Sequence, residues 1–287
     1  MAFDRLFNLG FDLTTTISVL ALVSIGLAIT FGMRGIINLA HGEFIMLGAF
    51  ATLSGVRNGL NVWVAMLVAS LAVGVFGIIV ERLLIRWLYA RLTDTMLATW
   101  GLSLIMVQVI ENLYGSVTEG IAVPVGNFNV GSYSMSTYNV VLMGAAAACV
   151  LVTYGVMHHT RYGLHARASV QSSTMAESLG VNTSRVNMWT FGFGAALAGA
   201  AGALLAPLVG VIPTMGQTFV ARSFMTVIVG GPAFVAGPVS ASGLLGFIEN
   251  LSTNWFTPVI GQAMLLIAAI VILRFMPQGL TGRRSLR

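Results

Sequence analysis

Seven runs of about twenty apolar residues leave this chain almost no choice of solvent. They lie near 14–33, 36–55, 62–80, 95–114, 139–157, 188–211 and 257–276. Only 8% of the residues are charged, against about 25% in an ordinary soluble domain. Such a chain cannot cover a water-facing surface, so lipid must solvate it. Within lipid the backbone satisfies its own hydrogen bonds, which selects helices for runs of this length. The expected fold is therefore all-α, a polytopic integral membrane protein with about seven to eight transmembrane helices. Residues 1–287 read as one transmembrane domain. No cleavable leader is evident, because the run from Ile17 lacks a small-residue cleavage site.

The stretch 223–254 does not read as a clean span. It holds Gly230-Gly231-Pro232 and then Gly237-Pro238. Two such breaks in an apolar run point to a re-entrant broken helix, with these five residues as its hinge. Non-helical backbone at membrane depth survives only where protein or a cavity surrounds it. Arginine placement agrees. The loops 81–94 and 158–187 carry three arginines each and the tail carries Arg283, Arg284 and Arg287, whereas 115–138 has none. The positive-inside bias puts the first three in the cytoplasm and 115–138 outside. The chain then returns its C-terminus to the cytoplasm only if 223–254 enters and leaves on the outer side. The N-terminal side depends on whether 36–55 crosses fully.

All 14 basic residues are arginine. Without lysine there is no phosphate-binding loop of the Walker type and no Schiff-base chemistry. Any ATP used must be bound by another polypeptide. The net charge of +5 comes from arginines flanking the spans and makes no case for nucleic acid. The single cysteine, Cys149, excludes an intrachain disulfide and a cysteine metal cluster. No metal-ligand or nucleophile motif is present.

The one sizeable polar island is 158–187, and in its middle stand Thr174, Met175, Ala176, Glu177, Ser178, Leu179 and Gly180. Thr174 is placed to cap a short helix, Glu177 to reach back to it, and Gly180 to end it. Such an element is either a cytoplasmic docking knob or a solvated loop. At membrane depth, Asn38, His41 and Glu43 are candidates for the translocation path or for a polar cluster that joins helices. In the fourth span, Thr99, Trp100 and Ser103, with Gln108 near the same face, suit passage of a small polar solute or interhelical hydrogen bonding. In 188–211, Ala195, Ala198, Gly199, Gly202 and Ala203 recur four apart, which lets helix backbones approach closely.

Three of these segments carry a resemblance. Residues 26–32 (GLAITFG) with 37–43 (INLAHGE), then 175–181 (MAESLGV), then 228–231 with Gly237-Pro238, resemble in order the signatures of branched-chain amino acid type ABC importer permeases. The resemblance covers about 14–280. It implies a permease subunit of the bacterial inner (cytoplasmic) membrane with no cofactor of its own. Its partners would be a second homologous permease, two cytoplasmic ATPases holding ATP and Mg, and a periplasmic solute-binding protein. It makes 174–180 the coupling helix and places the His41 segment in the central bundle. Residues 98–104 (ATWGLSL) resemble the urea and short-chain amide branch, so the expected solute is urea or a short amide. A branched-chain or other hydrophobic amino acid is the alternative. An ion-coupled secondary transporter is a further one, with Glu43 or Glu111 as its carboxylate.

Overall fold

The computed structural model describes residues 2–35, 37–89, 91–131 and 133–282; the side chain of Arg34 and the arginines of the tail lie outside that description. The regular elements among the described residues are eleven α-helices, one 3-10 turn (Ile85–Leu88) and one short hairpin. Six helices are long and apolar enough to cross a bilayer: α1 (Ala2–Arg34), α3 (Val62–Leu83), α4 (Leu92–Tyr114), α5 (Thr137–His159), α8 (Thr183–Val209) and α11 (Pro258–Phe275). The others are α2 (His41–Arg57), α6 (Arg161–Gln171), α7 (Ser173–Ser178), α9 (Met215–Gly230) and α10 (Ala236–Trp255). Side-chain caps start several of them. Asn61 accepts from Trp63, Ser136 from Tyr138, and Thr257 from Ile260 ahead of Pro258 at the first helical position.

Helix α8 is the axis, with α1, α2 and α3 packed around it. Its small residues allow this. A β-carbon on Gly202 would overlap the Ile45 carbonyl, one on Gly48 would overlap Gly199, and one on Gly77 would overlap Ala195. The small-residue pattern in 188–211 is thus used for backbone approach on two faces at once. Helices α4, α5 and α11 lie outside and leave most of their apolar surface to the surroundings.

The two ends differ. At one, the loop after α4 ends in an antiparallel hairpin, β1 (Asn127–Val130) with β2 (Tyr133–Ser136). Phe128 packs edge-on against Phe11 near the start of α1. Glu119 bridges by backbone to Val211 and pairs with Arg57. The other end holds the arginine-rich segments, α6 and α7. There Phe234 packs at Gly32 and 276–282 close over Gly231.

Two expectations about backbone breaks change in detail. The stretch 223–254 breaks once, not twice. Gly231 takes a left-handed φ of 83°, which glycine adopts without a Cβ clash. Gly237 and Pro238 instead lie in the first turn of α10, where an N–H has no helical partner to lose. The resulting α9–α10 hairpin begins and finishes at the β-hairpin end, and its tip reaches the arginine-rich end. The second span also differs. Residues 37–40 are non-helical and α2 begins only at His41.

Candidate functional site

The non-helical stretch before α2 creates a demand that sequence alone does not display. Its backbone groups sit inside the bundle, where water cannot satisfy them. Thr99 of α4 meets part of that demand: the Leu39 N–H donates to its hydroxyl oxygen at 3.1 Å. The Asn38 side-chain carbonyl accepts from the Ala40 N–H at 3.1 Å, and its backbone carbonyl accepts from the His41 N–H at 3.2 Å. Asn38 thus behaves as a capping residue just ahead of α2.

His41 continues the network into α1. Its Nε2 lies 2.9 Å from the Val23 carbonyl oxygen, which also accepts from the Ser223 hydroxyl at 3.1 Å. Four helices, α1, α2, α4 and α9, meet the non-helical residues 37–40 at this node. Asn38, His41, Glu43 and Thr99 are nearly or fully buried there. Glu43 faces Ser103, and one of its carboxylate oxygens has no hydrogen-bond partner among the described residues. The sequence also offers Arg34 as a partner for Glu43, and that side chain lies outside the described residues.

Thr99 and Ser103 share the buried face of α4 with Met106 and Ile110. Trp100 does not: it is 54% exposed on the outward face with Leu104 and Ile105. Gln108 is exposed too and bonds Asn112 one turn on. The stripe in the fourth span therefore splits between two faces, because a step of five residues turns a helix well away from its starting face. Replacing Thr99 by Val leaves the Leu39 N–H without its acceptor. The expected cost is about 1–3 kcal/mol, read as a lower unfolding midpoint of the purified protein in lipid nanodiscs. An unchanged midpoint would mean the node does not depend on this bond.

The polar island holds two helices rather than one. Helix α6 carries Tyr162 under α8, where its hydroxyl contacts Thr190; burial pushes the Tyr162 phenol up to about 12, with that hydrogen bond acting the other way. Helix α7 is capped differently from the expectation. Ser172, not Thr174, accepts from the Met175 N–H at 3.3 Å. Glu177 does not turn back to a cap but accepts from the Thr183 hydroxyl, tying α7 to the start of α8. Gly180 ends the helix as expected, at φ 85°, with the Val181 N–H reaching the Ala176 carbonyl at 3.0 Å. Ala176 is the buried contact, while Met175 is 65% and Leu179 80% exposed. A two-turn helix is fastened at both ends and offers two large apolar side chains outward.

Reasoning from sequence missed the ion pair between Arg222 of α9 and Glu249 of α10, 3.3 Å apart and mostly buried. Its signal was present, since each is an ionisable residue in or beside an apolar stretch, and such residues are costly unless paired.

Residues 10–274 match the protein family described as branched-chain amino acid transport system / permease component. The chain belongs to this family. It is 29% identical to the high-affinity branched-chain amino acid transport system permease protein LivH of Escherichia coli, over 95% of this chain and 94% of that protein. It is 29% identical to the permease protein BraD of Pseudomonas aeruginosa, covering 93% of this chain and 92% of the relative. A probable LivH of Methanocaldococcus jannaschii is 25% identical over 92% and 89% of the two chains. As a permease of this family the chain is a multi-pass transport subunit of an ABC importer and not an enzyme, and nucleotide binding belongs to separate ATPase subunits. The family assignment embraces all three segments that suggested it, and it includes the node and α7.

Proposed function

We propose that this permease carries a branched-chain or other hydrophobic amino acid across the cytoplasmic membrane. The observation that supports this most is the near full-length similarity to LivH and BraD permeases, whose names specify branched-chain amino acid transport. It favours the amino acid over the urea or short-amide reading that residues 98–104 suggest. Thr99 and Ser103, the polar members of that segment, have structural duties at the node whatever the solute is.

The importer contains this chain, a second homologous permease, two cytoplasmic ATPases and a solute-binding protein outside. Helix α7 is the coupling element. Closure of the ATPases on ATP moves the surface around Met175 and Leu179, and the bonds from Glu177 to Thr183 and from Tyr162 to Thr190 pass that displacement to α8. Because α1, α2 and α3 all pack on α8, its tilt reaches the node at His41. Coupling of this kind requires that the ATPase contact α7 differently in its two states. The arginine-rich end, with the C-terminus, faces the cytoplasm, and the start of α1 faces outside.

Uptake of labelled leucine in cells with and without this gene tests the solute. Gene-dependent leucine uptake that excess acetamide does not reduce is the expected result. Gene-dependent urea uptake blocked by acetamide, with leucine uptake unchanged, would return the protein to the urea and amide branch.

A further inference from the structure

A cavity of about 370 Å3 opens between α1, α9, α10 and α11, reaching from the β-hairpin end down to the Arg222–Glu249 pair. Its charged walls are Asp12, Arg222 and Glu249, joined by Asn254 and Gln262. Val19, Leu20 and Pro258 supply apolar wall. Two carboxylates line the cavity with one guanidinium, and the Asn8 amide donates to Asp12 at 3.5 Å. Glu249 is 6% exposed; its Oε1 holds Arg222, while its buried Oε2 and the buried Arg222 Nε have no hydrogen-bond partner among the described residues. A carboxylate oxygen left unpaired in so dry a setting is costly unless a cationic group completes it.

The walls also restrict which cation fits. A hard divalent ion wants six or more oxygens at close range, and no group of three acidic or histidine ligands occurs among the described residues. The cavity lies within the size range of small-molecule sites, and its apolar side suits a short hydrocarbon. A primary ammonium on an aliphatic chain satisfies both. Arg222 directly precedes Ser223, whose hydroxyl belongs to the His41 node, so the cavity floor adjoins that node.

We propose that this cavity is an outer subsite for the transported amino acid, taking its ammonium group at Asp12 and Glu249 and its aliphatic side chain against Val19 and Leu20. The assignment of the solute as an amino acid rests on the function proposed above; the preference for an ammonium group rests on the cavity alone.

The test uses the full chain in lipid nanodiscs, reading its thermal midpoint with L-leucine, L-leucine methyl ester and 4-methylpentanoate. The first two carry an ammonium group and raise the midpoint; the third lacks it and does not. Asp12→Asn, which keeps the shape, weakens the response to both ammonium compounds about tenfold or more. Thr15→Leu keeps every charge but fills the cavity, and it abolishes the response. Equal stabilisation by 4-methylpentanoate, an unchanged response in Asp12→Asn, or full binding in Thr15→Leu would each overturn the proposal. Leucine uptake by wild-type cells, measured alongside, separates the two readings. Uptake without any ammonium-dependent stabilisation overturns the subsite alone. Asp12-dependent binding of the methyl ester without leucine uptake supports the ammonium site and overturns the amino-acid solute.

Discussion

Leu179→Arg is expected to abolish solute-stimulated ATP hydrolysis by the assembled importer while the permease itself still folds. Leu179 is the C-cap residue of α7 and caps through backbone groups, so with its side chain 80% exposed little contact within the chain is lost by changing it. Changes to such an exposed side chain usually move stability by no more than about 0.5 kcal/mol. A large apolar side chain kept in water-facing position has a different explanation: it fills a pocket on a partner, where truncation or charge is costly. An arginine there must either be buried unpaired in the ATPase surface or hold the two subunits apart. Two measurements decide the matter together. The unfolding midpoint of the isolated permease should match the wild type, and stimulated ATPase activity of the reconstituted complex should fall to the unstimulated level. Normal stimulation in this variant would remove α7 from the coupling path. Met175→Arg, at the other exposed apolar position of the same helix, should act in the same direction.

Gly202→Leu is expected to prevent folding. A β-carbon at Gly202 would overlap the carbonyl oxygen of Ile45, a backbone atom that no rotamer change can move. Helices in lipid gain little from apolar burial as such, and their association depends on close packing. Forcing α2 away from α8 therefore removes the contact itself, at an expected cost of about 4 kcal/mol or more. The node would move with it, because His41 opens α2. Gly243→Ala is the matched control, since a β-carbon at Gly243 meets nothing nearby and alanine is the better helix former. The readout is the yield of monodisperse protein extracted from membranes. Extraction of Gly202→Leu at wild-type yield would mean that α2 and α8 do not pack as described.

Much of the candidate site was legible before any coordinates, but unevenly. Asn38, His41 and Glu43 stood out because polar groups within an apolar run need a reason. Their partners did not. Val23 contributes only a backbone carbonyl to His41, and nothing in its side chain announces that. Thr99 was noticed as part of a polar stripe, and its bond to the backbone of another segment follows from where α4 crosses residues 37–40. In α7 the C-terminal stop was readable, since Gly180 is the residue that takes a left-handed φ. The start was not, because Ser172, Ser173 and Thr174 are three adjacent residues of similar capping strength.

By itself the sequence determined the solvent, the helical class, the asymmetry between an arginine-rich end and an arginine-free loop, and that any ATP used is bound by another polypeptide. These follow from composition and from patterns along one dimension, namely run length, charge placement and the absence of lysine. It also marked α9 and α10 as interrupted, because glycine and proline act on the backbone locally. Only the tertiary structure decided that α2 starts late, which glycines meet which backbones, that Trp100 turns outward while Thr99 turns in, and that Arg222 and Glu249 pair across a hairpin. Each of these depends on how helices cross. Crossing is set by the fit of whole surfaces, which the order of residues along any one helix does not contain.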